Sequence, residues 1–273
     1  MPAKARPVLV FDSGLGGLTV YREIAALQLG RRIVYAADDA AFPYGRFTPE
    51  ALVSRVNQVM DTLAARHDPE LIVIACNTAS TLVLPHLRSR YSIPVVGTVP
   101  GIKPAAEQTR SGLISVLATP GTVRRDYTHD LILEFAADKI LTLVGAEKLA
   151  GLAEAELRGE PAADADILSE IAPCFVERSG WRTDVIVLGC THYPLLLERM
   201  KGLAPWPVAW IDPAPAIARR AAGLLGAGNS GRNSALADSV SFTSGLQAPP
   251  ALADALERFG LRQAEAQAIP HGW

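Results

Sequence analysis

Two of the three cysteines follow hydrophobic runs and open turns that are rich in polar residues. Cys76 lies in the sequence LIVIACNTAS, and Cys190 lies in the similar sequence VIVLGCTHYP. The repeated frame predicts a symmetric site with a thiol on each side of a substrate. Two such thiols suit a reaction that removes a proton from one face of a carbon and returns a proton to the opposite face.

Other interpretations of the cysteines explain fewer residues. Cys174 has no repeated frame, and we interpret it as a small buried hydrophobic residue, which is what a free cysteine usually is. A zinc site is disfavoured because there is no Cys-x-x-Cys and His192 lies only two residues from Cys190, so we predict no metal. A papain-like Cys–His pair would leave one of the two cysteines unused.

Polar residues also follow the other predicted strands. Ligands of open α/β sheets bind at the carboxyl ends of the strands, so we expect these residues to share a site. They are Asp12, Ser13, Asp38, Tyr44, Gly45, Asn77, Thr78, Thr119, Thr122, Thr191 and His192. Each one alone is explained equally well as a helix cap. Their recurrence beside two cysteines favours a binding site.

The run Gly14-Leu15-Gly16-Gly17 is an incomplete match to a dinucleotide-binding loop. The full fingerprint requires glycine at position 19, which is Thr19. We interpret the run as a tight strand-to-helix turn with free N–H groups near an anion. None of the lysines falls at a predicted strand end, so the sequence offers no candidate for a pyridoxal phosphate Schiff base. We therefore predict no cofactor.

Short apolar runs alternate with longer amphipathic segments, which predicts an α/β fold of mostly parallel sheets flanked by helices. The predicted strands are Val8–Phe11, Ile33–Ala36, Leu71–Ala75, Val95–Val96, Leu113–Leu117, Ile140–Val144, Val185–Leu188 and Val208–Ile211. The clearest helix has Thr48 as its cap and Pro49 at its first position, and its apolar residues recur on one face.

The two halves of the chain resemble each other. The stretch from Val8 to Gly14 resembles that from Ile114 to Gly121, and the Cys76 segment resembles the Cys190 segment. We predict two similar lobes related by a pseudo-two-fold axis, with the active site between them. The first lobe comprises 1–97 and 212–273, and the second comprises 98–211.

We also predict three elements near the C-terminus. A loop runs from Gly226 to Ser234, a strand covers Ser239–Thr243, and a helix covers Ala251–Phe259. The strand and the helix are expected to pack on the first lobe.

Composition excludes several classes of protein. A net charge of −2 gives no electrostatic reason to bind nucleic acid or an anionic membrane. The N-terminal residues have neither the apolar length of a membrane span nor the pattern of a signal peptide. Three cysteines in apolar surroundings do not suggest a disulfide framework. These features together predict a cytoplasmic protein.

Five motifs in chain order resemble those of the glutamate racemases, in the aspartate/glutamate racemase superfamily. They are DSGLGGLTV at Asp12–Val20, ADDAAFPYG at Ala37–Gly45, ACNTAS at Ala75–Ser80, ATPGTV at Ala118–Val123 and GCTHYPLL at Gly189–Leu196. The cysteine-centred motifs mark the superfamily, and the Asp-Ser and Pro-Tyr-Gly motifs narrow the resemblance to glutamate racemases.

The resemblance implies a cofactor-independent enzyme that interconverts L- and D-glutamate and supplies D-glutamate for peptidoglycan synthesis. Cys76 would deprotonate D-glutamate and Cys190 would deprotonate L-glutamate. The other residues that match substrate-binding positions are Asp12, Ser13, Tyr44, Gly45, Asn77, Thr78, Thr119, Thr122, Thr191 and His192. Asp38 and Glu177 would assist, Glu177 in place of a family glutamate. A homodimer is also implied.

Two alternatives stay open on the sequence alone. One is another member of the superfamily, such as an aspartate or hydantoin racemase. The other is a two-lobed amino-acid-binding protein without catalysis, which the cysteine on each lobe and the absence of a signal peptide disfavour.

Overall fold

The computed structural model describes residues 6–226, 237–263 and 268–269. Its strands are β1 Val8–Asp12, β2 Ile33–Ala37, β3 Leu71–Ile74, β4 Val95–Gly97, β5 Leu113–Ala118, β6 Ile140–Gly145, β7 Glu177–Arg178, β8 Trp181–Arg182, β9 Val185–Gly189, β10 Ala209–Ile211, β11 Ser239–Phe242 and β12 Arg262–Gln263. Its α-helices are α1 Leu18–Ala26, α2 Pro49–His67, α3 Asn77–Arg90, α4 Ile102–Gln108, α5 Pro120–Val123, α6 Asp126–Phe135, α7 Leu149–Leu157, α8 Asp164–Ile171, α9 Leu197–Leu203, α10 Ala214–Leu225 and α11 Pro250–Arg258.

Most strands belong to two parallel sheets. The first sheet has six strands in the order β12-β11-β2-β1-β3-β4, and the second has four in the order β10-β9-β5-β6. Every pairing in these two sheets is parallel. The predicted α/β class with parallel sheets flanked by helices is confirmed.

The two sheets repeat one topology. The order β2-β1-β3-β4 in the first sheet corresponds to β6-β5-β9-β10 in the second. Cys76 follows β3, the neighbour of β1, and Cys190 follows β9, the neighbour of β5, so the two cysteines occupy equivalent positions. Strands of the first sheet lie within 1–97 or 212–273, and strands of the second lie within 98–211.

Apolar strands and one-sided helices account for the packing. The β1 and β3 strands are buried along their whole length because helices cover both faces of the first sheet. Helix α2 begins as predicted, since the Thr48 hydroxyl accepts a hydrogen bond from the Ala51 N–H and Pro49 needs no partner in the first turn. Helices α1, α10 and α11 cover the opposite face.

The C-terminal segment completes the first sheet. As predicted, the strand that begins at Ser239 pairs with β2, and Leu252 and Leu256 of α11 pack in the core of the first lobe. The predicted loop from Gly226 to Ser234 lies, beyond its first residue, outside the described residues.

An antiparallel hairpin of β7 and β8 was not predicted. Its turn residues, Ser179 and Gly180, both have positive φ, the backbone that a two-residue hairpin turn requires. The strands have two residues each, which is too short for an alternating pattern to be visible in the sequence.

None of the described helices has the length and apolar character needed to cross a membrane.

The core of the first lobe gives a direct test of the packing. Leu63 of α2 is 1% exposed, whereas Leu246 is 69% exposed in the same lobe. We expect Leu63→Ala to lower the free energy of unfolding by about 2–5 kcal/mol, because it removes buried methyl groups and leaves a cavity. Leu246→Ala is expected to change it by about 0.5 kcal/mol or less. Urea denaturation measures both, and equal shifts would contradict the described burial.

Candidate active site

The two repeated cysteines belong to one site between the sheets. Cys76 and Cys190 are 5% and 7% exposed and each follows the carboxyl end of a central strand. They are close enough that negative charge on Cys190 contributes to raising the pKa of Cys76. The structure therefore brings together the two thiols that the sequence singled out.

First-lobe residues surround Cys76. Its Sγ lies 3.6 Å from the Ser13 hydroxyl and hydrogen-bonds to it. The Ser13 hydroxyl in turn donates to Asp12 Oδ1 at 3.5 Å, so the thiol, the hydroxyl and the carboxylate form a chain. Asp12 in turn accepts the Gly17 N–H at 2.7 Å, which holds it at the start of α1.

Because Cys76 and Cys190 each precede a predicted helix, the sequence predicts that the helix N-terminus lowers both thiol pKa values, and this prediction is wrong for Cys76. Burial, followed by the charge of Asp12, raises the pKa of Cys76 well above its ordinary value, and the hydrogen bonds from Ala79 and Ser13 offset only part of this. Cys190 has no α-helix immediately after it, because a 3-10 turn at Tyr193–Leu196 precedes α9.

A histidine and a glutamate support Cys190. His192 Nδ1 lies 3.7 Å from Cys190 Sγ, and His192 Nε2 lies 2.9 Å from Glu154 Oε1. Burial alone would lower the pKa of His192, but its hydrogen bonds to Cys190 and Glu154 raise it well above the ordinary value. The ring is therefore held as an imidazolium that donates one N–H to the thiol sulfur and the other to the carboxylate.

Glu154 is the functional residue that sequence reasoning missed. Burial alone would raise its pKa, but the hydrogen bond to His192 and the charge of that ring lower it. The sequence did contain a signal for Glu154. This residue lies four positions after Ala150, so it shares the buried face of α7 with Leu149 and Ala153. An acidic residue on the apolar face of a helix is a candidate for a paired, functional charge.

Glu177 does not reach this site. It lies on the exposed hairpin, where its carboxylate is 2.7 Å from Arg182 and its side chain is 55% exposed. The assignment of Glu177 as the family glutamate is therefore corrected, because the carboxylate beside His192 is Glu154 of α7.

The run Gly14–Gly17, here called the glycine loop, is the first-lobe surface against which this pair packs. Leu15 N–H donates to Glu154 Oε1 at 2.5 Å, and Gly16 N–H lies 3.1 Å from His192 Nε2. The prediction of free N–H groups near an anion is wrong, because Leu15 N–H donates to the protein's own Glu154 carboxylate and Gly17 N–H donates to Asp12.

The glycines of this loop are required by close approach. A Cβ on Gly14 would overlap the Glu154 carboxylate, and a Cβ on Gly16 would overlap the His192 ring and come within 2.6 Å of its backbone nitrogen. The loop therefore serves contact between the lobes, which explains why it lacks the full dinucleotide fingerprint.

Three hydroxyls meet on the other side of the thiols. Thr78 Oγ1 of the first lobe lies 3.0 Å from Thr119 Oγ1 and 3.3 Å from Thr122 Oγ1 of the second. Asn77 beside them is 2% exposed, and both polar atoms of its amide lack a partner among the described residues. A buried amide without a partner loses free energy unless a ligand satisfies it, so this corner is suited to a polar ligand.

Asp38 has a different position from the one expected for a group that assists the thiols. Its two oxygens accept hydrogen bonds from Arg55 at 2.9 and 2.5 Å, from the Tyr44 hydroxyl at 2.6 Å and from Thr243 at 2.6 Å. Arg55 and Asp38 are both fully buried. The carboxylate is thus occupied in fixing Tyr44, and with it Gly45, at the edge of the site.

The remaining predicted residue, Thr191, is buried beside Cys190, and its carbonyl accepts a hydrogen bond from the Thr19 hydroxyl of the first lobe at 3.1 Å.

Within the described part of the chain, no group of three or more His, Cys, Asp and Glu side chains is arranged to hold a metal ion.

Comparison with known proteins agrees with this geometry. The family model for Asp/Glu/hydantoin racemases matches residues 8–221. The glutamate racemase of Brucella canis is 54% identical over 261 residues, which cover 95% of this chain and 94% of that protein. The glutamate racemase of Brucella anthropi is 61% identical over 221 residues, covering 81% of this chain and 80% of that protein.

A solved structure gives the same result. Escherichia coli glutamate racemase, in complex with L-glutamate and the activator UDP-MurNAc-Ala, superimposes with a TM-score of 0.86 at 39% identity. The alignment covers 96% of this chain and 100% of that chain. The chain belongs to the Asp/Glu/hydantoin racemase family. The predicted resemblance and the predicted enzyme class are both confirmed.

Adding a methyl group at Gly16 tests the close approach of the glycine loop to His192 in this racemase. We expect Gly16→Ala to lower racemase turnover about a hundredfold, because the methyl group must displace His192 from Cys190. Gly223→Ala is the control, since a Cβ there would meet nothing within 4 Å. Full activity of a folded Gly16→Ala variant would contradict the described contact.

The raised pKa of His192 predicts how the stability of this racemase depends on pH. The stabilisation from the charged ring is fully present below the unfolded pKa of about 6.5 and is lost as pH rises through the higher folded pKa. The difference in free energy of unfolding between wild type and His192→Gln should therefore shrink above pH 6.5. Urea denaturation from pH 6 to pH 8 measures it, and a difference that grows with pH would refute the imidazolium.

Proposed function

We propose that this protein is a cofactor-independent glutamate racemase in which Cys76 and Cys190 are the two acid–base groups. The observation that carries the proposal is the meeting of two buried thiols, one from each repeated topology, in a single site. A racemase needs one group on each face of the α-carbon, and a single thiol would leave one face without a proton donor.

The two thiols start from opposite protonation states. Burial and Asp12 favour the neutral thiol of Cys76, and the proposal assigns the thiolate to Cys190, whose Sγ lies 3.7 Å from His192 Nδ1. For L-glutamate, the Cys190 thiolate takes the α-proton and the Cys76 thiol gives its proton to the opposite face, which yields D-glutamate. The reaction leaves a Cys190 thiol and a Cys76 thiolate, the state that acts on D-glutamate.

The charge that develops on the substrate needs fixed hydrogen-bond donors. Abstraction of the α-proton moves negative charge into the α-carboxylate, and donors in a water-poor site stabilise such charge strongly. The hydroxyls of Thr78, Thr119 and Thr122 and the unpartnered amide of Asn77 are the donors available at one end of the site. We assign them to the substrate together with Ser13, Gly45 and Thr191.

One relative supports a cellular role for this activity. The Escherichia coli relative was crystallised with L-glutamate and with UDP-MurNAc-Ala as activator, and muramic acid is a component of peptidoglycan. We propose that the present enzyme supplies D-glutamate for peptidoglycan synthesis in the cytoplasm. The lobe boundaries at 97/98 and 211/212 and the homodimer are part of the same proposal.

Single substitutions of the cysteines test the mechanism. Cys76→Ala and Cys190→Ala should each lower racemisation of glutamate by at least about a thousandfold, because either change removes one of the two proton-transfer groups. Circular dichroism of glutamate at a fixed wavelength follows the reaction without added cofactor. Cys174, fully buried in the second lobe, is the matched control, and Cys174→Ala should keep nearly full turnover.

Substantial racemisation by either folded site variant would contradict the two-thiol mechanism. Wild-type protein that racemises aspartate and leaves glutamate unchanged would retain the mechanism and overturn the substrate.

A further inference from the structure

A cavity of about 770 Å³ opens between the lobes next to the proposed site. It adjoins that site through Thr119, whose hydroxyl lies 3.0 Å from Thr78, and through Phe42, whose ring lies 5.4 Å from the His192 ring. The cavity therefore lies beside the residues that surround the buried thiols.

Three cations lie on the wall of this cavity. Arg46 comes from the first lobe, and Arg124 and Lys148 come from the second, with Glu147 as the accompanying anion. All three cationic side chains are on exposed residues. Among the residues that the structure describes, none of the three forms an ion pair, and the Arg124 guanidinium contacts the Pro120 carbonyl at 3.1 Å.

The interior of the site, in contrast, carries more carboxylates than cations. Asp12 and Glu154 are buried carboxylates, and His192 is the cation that accompanies them. Arg55 is buried too, but both oxygens of Asp38 occupy its guanidinium. Among the described residues, the interior therefore offers a substrate with two carboxylates and one ammonium no cation that is not already paired with a carboxylate.

Charges of one sign around a cleft concentrate oppositely charged substrates at the mouth and raise association rates by about 10- to 1,000-fold, an effect that salt screens. We propose that Arg46, Arg124 and Lys148 form a cationic rim that captures the dicarboxylate substrate before it reaches Cys76 and Cys190. The inference rests on the proposed function, because it takes glutamate as the substrate.

The test replaces the whole rim with neutral residues. A variant carrying Arg46→Gln, Arg124→Gln and Lys148→Gln should lose about tenfold in kcat/KM at low ionic strength, with the loss falling on KM. The wild-type kcat/KM should decline as sodium chloride is raised, and that decline should be flattened in the variant. The variant must lower kcat/KM for L-glutamate and for D-glutamate by the same factor, because the two enantiomers have the same free energy.

A matched variant separates the rim from net charge. Three exposed arginines lie outside this cavity, namely Arg110, Arg258 and Arg262. Changing them to glutamine removes the same number of positive charges as the rim variant. This control should keep the wild-type kcat/KM and its salt dependence. Equal losses in the two variants, or an unchanged salt dependence in the rim variant, would overturn the rim. Wild-type protein that does not racemise glutamate would instead overturn the proposed function and the rim with it.

Discussion

The contact between the glycine loop and the Glu154–His192 pair is the constraint on which the rest of the site depends. It joins a turn of the first lobe to a helix of the second through the hydrogen bond from Leu15 N–H to the Glu154 carboxylate, and Glu154 in turn pairs with His192. Buried charges are tolerated only when they are paired and hydrogen-bonded, so this contact fixes how the lobes approach each other. Cys190 then acquires its position relative to Cys76 from the same interaction.

The site is symmetric in topology and asymmetric in electrostatics. The strand order of the two sheets repeats, and the cysteines follow equivalent strands. Their surroundings differ, because a carboxylate lies beside Cys76 and an imidazolium lies beside Cys190. The proposed mechanism requires one thiol and one thiolate, and the different surroundings of the two cysteines support that proposal.

Much of this arrangement could be predicted from the sequence. Apolar runs identified the strands of both sheets except the two-residue edge strand β12, and the repeated cysteine frames identified the two thiols, because both signals are local. Glu154 was missed and Glu177 was wrongly chosen because a carboxylate in an Ala-rich helix acquires its partner only through the tertiary fold. Asp38 follows a strand as expected, but its pairing with Arg55 depends on α2 folding over the sheet. Burial also reversed the expected pKa shift of Cys76, since no sequence pattern reports desolvation.

The central claim is that two thiols act on opposite faces of the α-carbon, and the isotopic content of the first product tests it most directly. L-glutamate is incubated with the enzyme in D₂O, and D-glutamate is isolated at low conversion for proton NMR and mass spectrometry. The account predicts deuterium at the α-carbon of the D-glutamate, because the proton it receives comes from the second thiol after exchange with solvent. D-glutamate that retains the original α-proton would contradict the account, since one group would then have carried that proton between the two faces.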